Sequence, residues 1–283
     1  MSELVSTNHR CDSAGLTYIY PVISRRLGGL SIGINLNSNN ACNWQCVYCQ
    51  VPNLIRGAAP LVDLTRLMEE LRGFLKDVLH GDFYKRFQIY QDQMAIKAIT
   101  VAGNGEPTSC NNFNKVIKSI CEICHEIGLL GKIRLVIITN GSLIHKQVVR
   151  EGLAHWADFG GEVWFKVDSA TAEGIRRINH VSLAPETILH NLELCTRHCP
   201  TWIQTCMFSF DGEPPSKVEQ QAYFDFLLNL HERKIPICGV LLYGLARQSM
   251  QDQAWRLSPL PSEWLTAMAQ TIEGFGIDVK MNE

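Results

Sequence analysis

The chain has 283 residues, 46% of them hydrophobic, and a formal net charge of −2 at pH 7. That length suits one large α/β domain or two small ones, with ample apolar content for a core. The near-neutral balance excludes broad electrostatic attraction to DNA or to an anionic membrane. No apolar run approaches the roughly 18 residues that a membrane span needs. The opening "MSELVSTNHR" lacks the basic start and apolar stretch of a signal peptide, so a cytoplasmic location is expected.

In chain order, short apolar runs rich in β-branched residues predict strands at 30–36, 97–103, 133–139, 162–167, 202–208 and 237–243. Helical patterns lie between them. Leu64, Leu67, Met68, Leu71, Leu75 and Val78 share one face, as do Phe113, Val116, Ile117, Ile120, Cys124 and Ile127. "PETILHNLELC" and "QQAYFDFLLNLHER" supply two more helices. Regular alternation with near-continuous apolar strands predicts a parallel sheet with right-handed crossovers. The expected fold is α/β: a partial (β/α)6 TIM-like barrel of parallel strands with helices outside. A doubly wound open sheet satisfies the same alternation. The stretch 80–93, "HGDFYKRFQIYQDQ", interleaves aromatics with charge and suits either a cover over the active site, a macromolecular dock or an edge helix.

In a βα barrel the chemistry collects where the strands end, because the loops there converge on one mouth. Cys42, Cys46 and Cys49 follow the first predicted strand, and "GNGEP" at 103–107 follows the second. "TNG" at 139–141 follows the third, and Lys166, Asp168 and Ser169 close the fourth. The fifth strand ends at Ser209 and Asp211, and the sixth runs through Tyr243 toward Arg247.

The chain's eleven cysteines are an odd number in a sequence far longer than disulfide-stapled domains, which points to metal or redox use. Structural zinc takes four ligands, and the nearest additional candidates, Cys11 and His80, lie about thirty residues from the cysteine loop. Iron–sulfur clusters are usually held by four thiolates, so a compact set of three predicts a cubane with one iron lacking a protein ligand. An open coordination position has a use when another molecule must bind there.

The CxxxCxxC loop, with Tyr48 just before its third cysteine and the later motifs in the same order, resembles that of radical S-adenosylmethionine (radical SAM) enzymes. The resemblance implies a 4Fe–4S cluster on Cys42, Cys46 and Cys49. Its open iron would be chelated by the methionyl amino and carboxylate groups of S-adenosylmethionine. One electron from the cluster then cleaves the sulfonium to a 5′-deoxyadenosyl radical, which takes hydrogen from a substrate. A small reducing protein of flavodoxin or ferredoxin type is the implied electron donor.

Gly103 and Gly105 lack a Cβ and allow close backbone approach, and Glu106 offers an acceptor for an ammonium group. Together they resemble the family's glycine–glycine–glutamate loop, with Asn104 and Gly105 standing where two glycines are frequent. A plain turn is the alternative. Strand alternation puts Trp164, Lys166 and Asp168 on one face. The resemblance assigns the cofactor carboxylate to Lys166 and its ribose to Asp168 or Ser169, against a solvated Lys–Asp pair as the alternative. Asn140 is a cofactor or substrate contact by the same likeness, or part of a simple turn. Tyr243 and Arg247 suit either ligand contact or a structural ion pair.

Cys121 and Cys124 fall in an apolar helical pattern, and Cys195, Cys199 and Cys206 cross from helix to strand, so both groups are expected to be structural. Cys110 is a candidate reactive thiol. A second cluster among these and Cys11 stays open.

"YPVISRRLGGLSIGINL", "KVDS" and "LLYGLAR" resemble the branch holding wyosine-type tRNA-modifying synthases and iron–sulfur oxidoreductases, over about residues 18–250. Those synthases carry a second cluster on cysteines before the radical SAM loop, whereas only Cys11 precedes Cys42 here. Arg25, Arg26 and Arg56 bracket the loop and are candidates for tRNA phosphates. Three readings follow: a radical SAM enzyme of unidentified substrate, tRNA base modification of wyosine type, and a non-catalytic zinc or iron–sulfur binding module. The expected organisation is an N-terminal extension (1–29), a radical SAM core (30–250) and a C-terminal extension packing on it (251–283).

Overall fold

The computed structural model describes residues 14–24 and 28–282, which leaves Cys11, Arg25 and Arg26 outside the described residues. The first half runs β1 (Ile19–Ser24), β2 (Gly29–Ile34), β3 (Ala41–Cys42), β4 (Ile55–Arg56), α1 (Leu64–His80), α2 (Phe83–Arg86), β5 (Ile96–Val101), α3 (Phe113–Glu126) and β6 (Arg134–Thr139). Next come α4 (Gln147–Asp158), β7 (Gly161–Lys166), α5 (Ala172–Asn179), α6 (Pro185–Thr196), β8 (Thr201–Met207) and β9 (Ser209–Phe210). The chain then forms α7 (Lys217–Glu232), β10 (Ile237–Gly244), β11 (Leu257–Ser258), α8 (Ser262–Glu273) and β12 (Val279–Asn282).

One eight-stranded sheet has the order β1-β2-β5-β6-β7-β8-β10-β12. All its pairings are parallel except β1 with β2. Its two end strands do not pair with each other, so the sheet is a mostly parallel, open barrel. All six strands expected from the apolar runs are present. Two further strands, β1 and β12, come from the segments assigned to terminal extensions and lengthen the sheet at both ends.

The outward-facing strand residues, among them Ile32, Ile34, Ile99, Leu135, Ile137, Phe165, Ile203 and Leu242, pack with the helices in one continuous core. A separate inward cluster joins Val136, Trp164, Trp202 and Leu241. Burial on both faces explains why the strands read as unbroken apolar runs rather than alternating ones. Toward the strand starts, Trp164 and Trp202 each donate an indole N–H to Glu162, at 3.1 and 3.2 Å. Gly33 has a local reason to be glycine: a Cβ there would stand 2.1 Å from the ring of Tyr20, which lies over β2 and donates its hydroxyl to Ala102 O at 3.1 Å.

Helices α4, α5 and α8 were not among the expected elements. In α4 the signal exists, since Val149, Gly152, Leu153 and Trp156 recur at helical spacing and are buried. The aromatic insertion 80–93 is an edge feature. Phe83 is fully buried against Phe74, Tyr84 and Phe87, and the segment leads into Ala95, whose carbonyl bonds Leu30 N at the start of β2. It therefore lies at the end of the barrel opposite the cysteine loop and covers no mouth. Among the described residues, no helix is long and apolar enough to cross a membrane.

Glu70 on α1 ties the chain entering β1 to the helix layer. It accepts from Thr17 N at 3.0 Å, Tyr18 N at 2.8 Å and Arg66 Nε at 3.0 Å. Burial pushes the Glu70 carboxyl up, but the two backbone N–H groups and Arg66 outweigh it and hold it below the usual carboxylate range. A depressed folded value means stability that is present above the unfolded pKa and lost as pH falls through the folded one. Glu70→Gln is accordingly expected to lower stability at pH 7 by about 1 kcal/mol. Chemical denaturation across pH 3 to 7 checks this, the gap between variant and wild type closing toward the acid end.

Candidate active site

The polar groups collect where the parallel strands end, and the cysteine loop is fastened there from two sides. On one side is the C-terminal end of α5. The last carbonyls of a helix have no partner within it, and here Ile178 O accepts from Val47 N at 2.8 Å and Asn179 O from Gln45 N at 3.2 Å. The helix starts cleanly because Thr171 caps Gly174 N at 2.9 Å, and it stops at His180, which takes the left-handed conformation (φ 53°). On the other side is the segment after β10. Ser249 Oγ donates to Val47 O at 2.6 Å, Met250 N to Cys49 O at 2.9 Å, and Gln251 Nε2 to Val51 O at 2.8 Å. Arg56, expected to face phosphate, is used inside this arrangement. Its guanidinium donates to Asn43 O at 2.9 Å, Gln45 Oε1 at 3.2 Å and His180 O at 2.8 Å.

Each of the three cysteine sulfurs receives N–H donors. Trp44 N lies 3.5 Å from Cys42 Sγ, and the Glu106 backbone N–H also reaches it. Asn179 Nδ2 lies 3.2 Å from Cys46 Sγ, and the Val51 and Gln50 backbone N–H groups serve Cys49. Burial, then the charge of Glu106, pushes the Cys42 thiol up to about 11. Burial likewise pushes up Cys46 and Cys49. The charge of Cys49 acts on both Cys42 and Cys46, so the three thiols are electrostatic neighbours. Among the described residues, no group of three or more His, Cys, Asp or Glu side chains is gathered as the ligand set of a metal ion.

Beside Cys46 lies a buried polar knot. Tyr48 donates its hydroxyl to Asp168 Oδ2 at 2.5 Å, Asn179 Nδ2 donates to the same oxygen at 2.8 Å, and Cys206 N reaches Asp168 Oδ1 at 3.3 Å. Lys166 Nζ donates to the Tyr48 hydroxyl and stands 3.9 Å from Asp168 Oδ2. Burial pulls the Lys166 ammonium down, but the charge of Asp168, then those of Tyr243, Cys46 and Cys206, outweigh it and hold the lysine above its usual range. Burial, then the Asp168 charge, keeps the Tyr48 phenol well above its ordinary value. Asp168 has no exposed side-chain surface and Lys166 is 17% exposed, so the pair lies inside the mouth rather than on a solvated surface.

Glu106 is 3% exposed and well bonded. Its Oε1 accepts from Thr108 N, Thr108 Oγ1 and Thr139 Oγ1 at 3.0, 2.5 and 2.6 Å, and its Oε2 accepts from Asn140 N at 2.7 Å. Burial raises the carboxyl despite these bonds. Gly103 and Gly105 let this loop press on its neighbours: a Cβ at Gly103 would meet Asn35 Oδ1 at 2.4 Å, and one at Gly105 would meet Ala41 O at 2.1 Å. Asn104 donates to Asn40 Oδ1 at 2.7 Å. Asn140 Nδ2 bonds Asn43 Oδ1 at 2.9 Å, and Asn43 Nδ2 bonds Ser142 Oγ at 2.7 Å, so "TNG" is linked to the cysteine loop. Ser169 Oγ accepts from Thr171 N at 3.2 Å at the start of α5. A cavity of ≈ 170 Å³ opens beside Asp168 and Ser169, lined also by Arg177, Phe208, Phe210 and Tyr223.

The expected site residues thus meet in one region. Tyr48, Lys166 and Asp168 stand with Cys46, Glu106 and Asn140 with Cys42, while Tyr243 packs in the same mouth cluster as Tyr48. Arg247 bonds Gln50 Oε1 at 3.2 Å. Cys121, Cys124, Cys195 and Cys199 are core residues, as expected. Cys206 differs, since it packs with Tyr48 and Phe208 and lines the cavity. Cys110 is buried, with its thiol on Asn112 Oδ1 at 2.9 Å. Asn179, Ser249 and Gln251 had no signal in the sequence, because single polar residues outside a motif carry no spacing.

Removing the anion from a buried ion pair leaves the cation uncompensated. Asp168→Ala is expected to destabilise the metal-free protein by about 3 kcal/mol. The double variant Lys166→Met with Asp168→Ala should recover part of that loss. Thermal melts of the three proteins check the order.

The Radical SAM superfamily model matches residues 36–224, which spans the site segments from the cysteine loop through Cys206 and stops short of Tyr243 and the Arg247–Gln251 stretch. Residues of the chain are 32% identical over 136 positions to the GTPase Obg of Brachyspira hyodysenteriae, covering 47% of this chain and 17% of that protein. They are 30% identical over 183 positions to the UPF0026 protein MJ1312 of Methanocaldococcus jannaschii, covering 61% of this chain and 47% of that one. The chain therefore spans less than half the length of these curated relatives. Among solved structures, TYW1 with a lysine–pyruvate adduct bound shares the fold at a TM-score of 0.57 and 15% identity, over 89% of this chain and 74% of that one. Superfamily members bind a 4Fe–4S cluster and S-adenosylmethionine and use them for radical chemistry. With two thirds of its length matched by the family model, this chain belongs to the radical SAM superfamily.

Proposed function

We propose that Cys42, Cys46 and Cys49 hold the 4Fe–4S cluster and leave one iron for S-adenosylmethionine. The observation that carries this reading is the supply of N–H donors to all three sulfurs at one barrel mouth. Hydrogen bonds to cluster sulfurs are among the levers that tune such centres. A single zinc ion would draw its thiolates onto one point at about 2.3 Å, whereas a cubane takes each thiolate on a separate iron. When bound, the cluster supplies the electron that cleaves the cofactor and starts radical chemistry.

The chain's own residues bind, orient and seal. Lys166, held as an ammonium, is the cation available to the cofactor carboxylate. Tyr48 and Asp168 fix its position. Glu106 has one N–H on Oε2, which leaves acceptor capacity for the cofactor's amino group, and Gly103, Asn104 and Gly105 bring that carboxylate up to the cysteine loop. Asn140 braces both. Ser169 and the adjoining cavity are the place for the ribose side, since both oxygens of Asp168 already accept protein donors. The core comprises residues 30–250, with 1–29 and 251–283 as extensions. A small flavodoxin- or ferredoxin-like protein delivers the electron.

The substrate is a separate question. The wyosine-type reading rests on sequence likeness in "YPVISRRLGGLSIGINL" and on a shared fold, and the one described arginine of its expected phosphate contacts, Arg56, is spent on the cysteine loop. Comparison of tRNA nucleosides from cells with and without the protein decides it, identical profiles removing the reading.

Anaerobic reconstitution is expected to load about four irons and as many sulfides per chain. Cys46→Ala should fail to load. Loaded wild type, given a strong reductant and S-adenosylmethionine, should release 5′-deoxyadenosine. A loaded protein that releases none would overturn the proposal.

A further inference from the structure

Asn179, the last residue of α5, is 1% exposed. Its Nδ2 lies 2.8 Å from Asp168 Oδ2 and 3.2 Å from Cys46 Sγ. An ionised carboxylate only accepts hydrogen bonds, so the amide atom that faces Asp168 must be the nitrogen. The orientation of this side chain, ordinarily a choice between two near-identical ends, is settled by its neighbour. An amide nitrogen carries two hydrogens. One serves the carboxylate, and the other is left for the sulfur.

The backbone fixes the same relation. Ile178 O and Asn179 O hold Val47 N and Gln45 N, the residues on either side of Cys46. The cysteine loop is thereby tied to the end of α5 on both sides of Cys46. Asp168 is held in turn by Tyr48 and by Cys206 N, so the amide cannot turn away without breaking a buried bond at both ends.

We propose that Asn179 is a positioning residue that sets the reduction potential of the cluster through an N–H···S bond to Cys46. This rests on the reading that Cys46 is a cluster ligand. Reduction adds negative charge that is shared with the thiolate ligands, and a donor aimed at one of them stabilises the reduced state more than the oxidised one. The bond makes the cluster easier to reduce. Because one electron from the reduced cluster starts the chemistry, a side chain that acts through Cys46 governs how much of the enzyme is poised to react.

The test compares wild type with Asn179→Ala after anaerobic reconstitution, reading iron and sulfide content, folding by circular dichroism, and the midpoint potential by electron paramagnetic resonance titration. The expected result is a folded, fully loaded variant whose reduction equilibrium is about tenfold less favourable, about 59 mV lower for one electron. Tyr48→Phe, which removes another partner of Asp168 and leaves the Cys46 donor in place, should shift the potential much less. A loaded Asn179→Ala variant with an unchanged potential overturns the proposal. So does a folded variant that cannot retain the cluster, because Asn179 would then be a retention device. If alanine does not fold, Asn179→Leu, which keeps the volume and lacks the donor, is judged by the same outcomes. Wild type that never loads defeats the cysteine assignment itself, a result distinct from any of these.

Discussion

The buried carboxylate of Asp168 is the constraint on which the mouth of this barrel depends. It gathers Tyr48 from the cysteine loop, Asn179 from the end of α5, the backbone of Cys206 from β8 and, within 3.9 Å, the ammonium of Lys166 from β7. These groups come from positions up to 158 residues apart, Tyr48 to Cys206, and no local preference brings them together. A charge with no exposed side-chain surface is tolerated only when its acceptor sites are filled and a counter-charge is near. The same requirement that makes the pair expensive to bury fixes the geometry once it is buried.

The barrel interior is divided along its axis. Toward the strand starts it is closed by Trp164 and Trp202, both ending on Glu162, with Lys280 3.8 Å over the Trp202 ring. Toward the strand ends the inward positions become Lys166, Cys206 and Tyr243. Apolar packing at one end supplies rigidity, and polar groups at the other supply chemistry. The helices contribute to both, since α5 buries Ile175 and Ile178 while its carbonyl end suspends the cysteine loop.

The segment after β10 has an equal share in that suspension. Ser249, Met250 and Gln251 bond the carbonyls of Val47, Cys49 and Val51, so the loop's own backbone acceptors are satisfied from across the mouth. The clasp continues to β11, which pairs with β9, and Arg256 there bonds Asp211 at 2.8 Å through Nε. Three thiols on a short loop are in this way held together at the mouth, with the loop's backbone tied to segments far away in the chain.

The sequence alone determined the parts that rest on short-range pattern. Six buried strands, four of the helices, the triad Cys42, Cys46 and Cys49, and the gathering of polar residues after each strand all follow from periodicity and spacing. Strands β1 and β12 escaped because an antiparallel edge and a four-residue terminal strand take their stability from the sheet they join. Tertiary structure decided that Lys166 and Asp168 are a buried pair, that the 80–93 insertion lies away from the mouth, that Arg56 braces the loop, and that Cys206 belongs to the site while Cys110 faces Asn112. It also supplied Asn179, Ser249 and Gln251. The physical reason is the same for all of these: a side chain's partners are set by contacts between segments far apart in the chain, and a periodic pattern records which face is buried, not what is buried against it.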